Sequence, residues 1–125
     1  MRRIMTAVLA FVVVMAIASC GGSKNDAERL VKDFLKENLV EPDYKYIDFS
    51  DLDSTFYVND SIVKAMREIN DTTSVFKKGI KYAEGQDSRK KHFIHVSYRT
   101  GEKKVKQTFY LDDQLTRILS FKNDY

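Results

Sequence analysis

The strongest constraint on how this chain folds lies in its last third, where apolar side chains recur at every second position. Ile94, Val96 and Tyr98 alternate with His95, Ser97 and Arg99, and a period of two belongs to a strand with one buried face. Thr100-Gly101-Glu102-Lys103 turns the chain into a second alternating run of Val105, Gln107, Phe109 and Leu111, and Asp112-Asp113-Gln114 turns it again before Leu115 to Phe121. Three antiparallel strands with one apolar face need a cover. Residues 25–39 supply it: Ala27, Leu30, Val31, Phe34, Leu35 and Leu39 recur at spacings of three and four, with Lys32, Asp33, Lys36 and Glu37 opposite. Ser23 or Asn25 can cap this helix, and Glu41-Pro42 stops it.

Between cover and sheet the pattern is less regular. Tyr44 to Val58 mixes aromatics with acids and reads as one or two short extended pieces. Asn59-Asp60-Ser61 is a cap signal before Ile62, Val63, Met66 and Ile69, which predicts a helix to about Asn70. Thr72-Thr73-Ser74 reads as the cap of a third helix or helical turn carrying Val75, Phe76, Ile80 and Tyr82. The fold class is α+β, with an N-terminal amphipathic helix and one or two further short helices on a C-terminal antiparallel sheet of three to four strands.

Upstream of the domain, Arg2 and Arg3 precede an apolar run from Ile4 to Ala18 broken only by Thr6, and Ile17-Ala18-Ser19-Cys20 ends it in the chain's single cysteine. Fifteen residues fall short of the ~20 that span a bilayer, so the segment reads as a signal peptide. The tetrapeptide resembles the lipobox of bacterial lipoproteins. The resemblance implies diacylglycerol on the Cys20 thiol, cleavage before it and acylation of the new amino terminus. Residues 1–19 are then the signal peptide, 20–24 the lipidated cysteine and its tether, and 25–125 one α+β domain. Membrane attachment follows from two or more acyl chains, since each buried methylene adds ~0.8 kcal/mol. Glycine rather than aspartate follows Cys20 and no dense acidic cluster comes after it, which implies the outer membrane of the cell envelope, facing the periplasm.

The layout of lipobox, short polar tether, a first helix with Leu30-Val31-Lys32-Asp33-Phe34-Leu35, and a terminal hairpin with His95-Val96-Ser97-Tyr98-Arg99 and Phe109-Tyr110-Leu111-Asp112 resembles that of small bacterial envelope lipoproteins of uncharacterised function. That resemblance implies a cystatin-like or NTF2-like domain, a helix wrapped by a curved sheet. The Gln-x-Val-x-Gly loop of inhibitory cystatins is absent. A second resemblance is to the small helix-helix-sheet lipoproteins of outer-membrane assembly machines. Two functional readings follow: a non-enzymatic binding or accessory module, or an NTF2-like small-ligand carrier or enzyme with a pocket between helix and sheet.

Charge narrows these readings. Cleavage before Cys20 takes the net charge from +3 to +1, so no global case for nucleic acid exists. Locally the balance is uneven. Residues 41–60 carry six acids against Lys45, and residues 76–107 carry ten Lys and Arg against Glu84, Asp87 and Glu102. The two segments read either as solvated surfaces that attract one another or as a basic face for an anionic envelope partner.

Chemistry-bearing motifs are few. With Cys20 acylated the domain has no thiol, and no Gly-x-Ser-x-Gly, P-loop or Gly-x-Gly-x-x-Gly occurs. No catalytic residue, cofactor or metal site is assigned. His92 and His95, the only histidines, are three apart on a strand and so point to opposite faces. Asp43, Asp48, Asp51 and Asp53 lack the order of a calcium loop. Asp53-Ser54-Thr55, Asp60-Ser61-Ile62 and Asp71-Thr72-Thr73 resemble the Asp-Ser/Thr-apolar sites that some bacteria O-glycosylate on exported proteins. Ser54, Ser61 and Thr72 are the acceptors this implies, against an ordinary reading of turns and caps.

Overall fold

Among the described residues two helices pack on a five-stranded antiparallel sheet, whose three long strands follow both helices in sequence. The computed structural model describes residues 23–85 and 88–124. Helix α1 spans Ser23–Asn38 and buries Ala27, Val31, Phe34 and Leu35, the stripe set by their spacing. Helix α2 spans Asp60–Asn70, and the Asn59 side chain accepts from the Ile62 amide as its N-cap.

The central strands are β3 (Lys91–Thr100) and β4 (Lys103–Leu111), paired from His92↔Leu111 to Thr100↔Lys103 around the two-residue turn Gly101-Glu102. Gly101 sits at φ +58°, the positive value required of the first turn residue. β5 (Ile118–Asn123) flanks β4. On the other edge β1 (Lys45–Phe49) and β2 (Asp53–Thr55) both pair with β3, one after the other, as a broken strand. Its register slips between Lys45 and Asp48, where Tyr46 takes a positive φ of +57°. These two edge pieces bring the sheet to five strands, above the three or four expected.

Strand alternation divides the core. Ile94, Val96, Tyr98, Phe109, Leu111 and Phe121 face α1. Phe34 is the hub of this side, with its ring centroid 5.8 Å from Phe76, 5.6 Å from Phe109 and 5.9 Å from Phe121. The opposite face carries a smaller cluster in which Val63 and Met66 of α2 meet Phe93, Tyr110 and Leu119. α2 is fixed to β5 by polar contacts as well. Arg67 Nε donates to the Leu119 carbonyl at 2.7 Å, and Asn70 Nδ2 donates to Ser120 Oγ at 2.9 Å.

The expected third helix or helical turn over residues 72–82 does not form. Thr72 and Thr73 donate their hydroxyls back to the carbonyls of Ile69 and Asn70, so they close α2 instead of opening a new helix. The next residues pair with the end of α1: Val40 N donates to Val75 O and Lys77 N to Asn38 O, both within 2.9 Å. Gly79, at φ +74°, then breaks any helical continuation. The extended segment delivers Phe76 against Phe121, 4.7 Å between centroids, and Tyr82 against Phe34.

Candidate functional site

Cys20, the residue with the clearest chemistry in the sequence, lies outside the described residues, as do residues 1–19, which the sequence reads as a signal peptide. No helix among the described residues is long and apolar enough to cross a membrane. Of the proposed glycan acceptors, Ser54 on β2 and Ser61 in the first turn of α2 are exposed. Thr72 is exposed too, with its hydroxyl bonded to Ile69 O at 2.6 Å.

The basic segment 76–107 is divided by the fold. Lys91 is buried, its ammonium 3.1 Å from Ser88 O and 4.0 Å from Asp60. Lys90 and His92 both approach Asp113, at 3.8 and 3.7 Å. Lys91 with Asp60 is thus the ion pair that joins the basic and acidic segments among the described residues. A different set gathers at the hairpin end of the sheet. Strand pairing sets Lys45 opposite Arg99, and Arg99 opposite Lys104. All three point to the α2 side of the sheet, beyond the part that α2 covers, and Lys106 stands one row away opposite Ser97.

None of these four has an acid within ion-pair distance among the described residues. Like charges directly opposite across strands destabilise a sheet, so the row carries a standing repulsion that an anion would relieve. Next to it, β4 runs past the end of β5 and leaves a groove of about 780 Å3 lined by Lys103, Lys104, Lys106, Thr72, Asp124 and the exposed Ile69. Lys103 is steadied there by Ser74 Oγ at 3.0 Å. On the other side of the row a recess of about 610 Å3 holds Glu41 and Asp43 with Lys45, Arg99 and the 79% exposed Tyr46. The end of α1 shapes this wall. Thr100 Oγ1 donates to Glu41 O at 2.8 Å, and the Glu41 carboxylate lies over Gly101 where a Cβ would stand.

Sequence reading grouped Lys45 with the acids around it and so missed its place in the row. The signal that could have found it is alternation along β3, which already placed Arg99 on the face away from the core.

The histidines point to opposite faces, as their spacing requires. His92 Nε2 is 3.1 Å from Asp113 O, while His95 Nδ1 is 2.7 Å from Thr108 Oγ1, which donates to Asp124 at 2.6 Å. Among the described residues no three His, Cys, Asp or Glu side chains gather to hold a metal ion. Asp51 pairs with Lys24, and Asp53 accepts from the Ser54 amide. Where the carrier reading puts a pocket, between α1 and the sheet, Val31, Phe34, Leu35, Ile94, Phe109 and Phe121 pack against one another.

Three phenols depart from ordinary titration. Burial pushes Tyr98 up strongly, only partly offset by its 2.8 Å hydrogen bond to Gln107. Burial also raises Tyr82, against hydrogen bonds from Asn70 and Ser120, and raises Tyr44, with Asp33 adding to the effect. All three belong to the packing of the domain rather than to the basic row. No family model, curated protein or solved structure matches this chain.

Proposed function

We propose that this chain is a lipid-anchored envelope lipoprotein, held through Cys20 in the outer membrane and facing the periplasm, and that it works as a non-enzymatic binding or accessory module for an anionic envelope partner. The observation that carries the binding role is the Lys45–Arg99–Lys104 row, three cations placed opposite one another on an exposed sheet face with no acid in ion-pair distance among the described residues. A polyanion laid across the row meets all three, together with Lys106. The packed space between α1 and the sheet supports a surface site over an internal one. The lipobox and the two arginines ahead of the apolar run support the address.

Two measurements test the two halves of this reading. Intact mass and fractionation of the wild type beside Cys20→Ala test the anchor: an acyl increment and membrane retention lost in the variant are expected. Elution from an immobilised sulfated polysaccharide tests the row. Arg99→Glu with Lys104→Glu is expected to elute at much lower salt than wild type, whereas Lys78→Glu with Lys81→Glu, the same charge change elsewhere, elutes close to it. Equal shifts in both double variants mean that only net charge is being read, and the site is then rejected.

A further inference from the structure

The domain has two distinct ends, and the chain's path says which one the anchor approaches. β3 runs from Lys91 at one end to Thr100 at the other, and the broken strand β1–β2 runs back along it, so that Thr55 pairs with Lys91. Phe56 and Tyr57 therefore leave the sheet beyond the Lys91 end. The first turn of α2, with Asp60 4.0 Å from the Lys91 ammonium and Ile62 exposed, lies at the same end. α1 reaches the opposite end with its C-terminus, where Glu41 meets Thr100 and Gly101. A 16-residue helix is about 24 Å long. Its N-terminus thus points back from that end, and Lys24 pairs with Asp51 at 3.5 Å in the link between β1 and β2, four residues before Thr55.

Only Gly21 and Gly22 separate Cys20 from Ser23. At no more than ~3.6 Å per residue, the lipidated residue lies within about 11 Å of the start of α1. Phe56 and Tyr57 are the side chains that stand out at this end: 59% and 90% exposed, adjacent, and with the Tyr57 amide held by Thr55 Oγ1 at 3.2 Å. Nothing in the core needs them. Asp51, Asp60 and Asp113 are paired with Lys24, Lys91 and Lys90, which leaves Asp53 as the acid near this end without an ion pair among the described residues. Two adjacent exposed aromatic rings suit the interfacial zone of a bilayer, where such rings are favoured.

The geometry points to Phe56 and Tyr57, with Ile62 beside them, as a membrane-contact tip that seats in the interface of the same bilayer that holds the Cys20 lipid. This rests on the lipoprotein reading above and adds an orientation to it. The tether end faces the lipid, and the basic row, at the far end of α1, faces away from it.

The chain contains no tryptophan, so a single indole reports its own surroundings. Tyr57→Trp and, at the far end, Tyr46→Trp are made in the full chain, and each purified protein is checked by intact mass for its acyl chains. Both replace an exposed aromatic by another and leave the packing alone. In vesicles containing phosphatidylethanolamine and phosphatidylglycerol with brominated acyl chains, Tyr57→Trp is expected to emit further to the blue and to be quenched. Tyr46→Trp is expected to keep its solvent-exposed emission. An acylated, vesicle-bound protein in which both indoles emit as in water overturns the contact tip and leaves the anchor standing. Quenching of both overturns the orientation. Absence of an acyl increment removes the lipoprotein reading and the tip with it.

Discussion

Removing the Asp112 carboxylate should cost this domain a large part of its stability, and in a pH-dependent way. Asp112 ends the β4 strand, and its oxygens accept from the Thr116 amide at 2.7 Å, from the Thr116 hydroxyl, and from the Arg117 amide at 2.9 Å. Its own amide donates to Arg117 O at 3.3 Å, so side chain and backbone together close the connection to β5. The same loop holds Leu115 at φ +56°, a conformation that costs an L-residue ~1–2 kcal/mol unless its surroundings enforce it. Hydrogen bonds to a charged acceptor contribute ~1.5–3 kcal/mol each. Thr116 is exposed and its donors rehydrate when released, so the net loss for Asp112→Ala is about 2–3 kcal/mol. In a domain of this size that lowers Tm by about 10–20 °C.

Burial alone would raise the carboxyl, but the bonds from Thr116 and Arg117, with the Arg117 charge, outweigh it and hold Asp112 below the usual carboxylate range. A depressed folded pKa stabilises fully above the unfolded value, near 3.9, and the contribution is lost as pH falls through the folded value. Urea denaturation followed by circular dichroism should therefore show a constant gap between wild type and Asp112→Ala from pH 7 to pH 5, closing below about pH 4. Asp112→Asn keeps an acceptor oxygen without the charge and should fall between the two. A gap below ~0.5 kcal/mol at pH 7, or one that stays unchanged down to pH 2, would refute the reasoning.

Three further perturbations read other parts of the fold. Phe34→Ala removes the ring that meets Phe76, Phe109 and Phe121 and should cost ~3–5 kcal/mol by chemical denaturation. Gly101→Ala forces a Cβ into a positive-φ position and onto the Glu41 carboxylate; it should cost ~1–2 kcal/mol for the backbone alone, and a cycle with Glu41→Ala should recover only the steric part. Tyr98→Phe deprives the buried Gln107 of the hydroxyl it accepts from and should cost ~1–3 kcal/mol in thermal unfolding, without altering elution from the sulfated polysaccharide.

The elements that could be read from sequence are those whose periodicity is local. The stripe from Ala27 to Leu35, the Asn59 cap and the alternation through Ile94 to Tyr98 each lie within one element, and the structure places each of them there. What escaped was set by non-local pairing. β1 and β2 hide their alternation because the register slips near Tyr46 and again between Phe49 and Asp53. Thr72 and Thr73 look like a start signal but serve as a stop, because hydroxyls bond either way and only the partner decides which. Asp112 reads as a plain turn residue until Thr116 and Arg117 are seen folding back onto it. The basic row was equally hidden, since Lys45, Arg99 and Lys104 become neighbours only through strand pairing.

One physical arrangement connects the proposed anchor, tip and row. A lipidated domain on a two-residue spacer cannot roam far from its membrane, so the only freedom it has is tilt, and tilt decides which surface a partner can reach. In the proposed arrangement Phe56 and Tyr57 would restrain that tilt at little cost in specificity, because the interface accepts aromatic rings in many poses. The cations need the opposite. Against an anionic bilayer they would be held by the headgroups and lost to any other partner. Placing Lys45, Arg99 and Lys104 beyond the C-terminal end of α1, about 24 Å of helix from its start, puts them more than two Debye lengths from the tether at physiological salt. At that separation the row's attraction for a distant anionic partner is decoupled from the charge of its own membrane. The two ends can then be weakened independently: charge reversal at Arg99 should leave indole quenching at position 57 unchanged, and polar substitution of Phe56 and Tyr57 should leave the salt elution of the row unchanged.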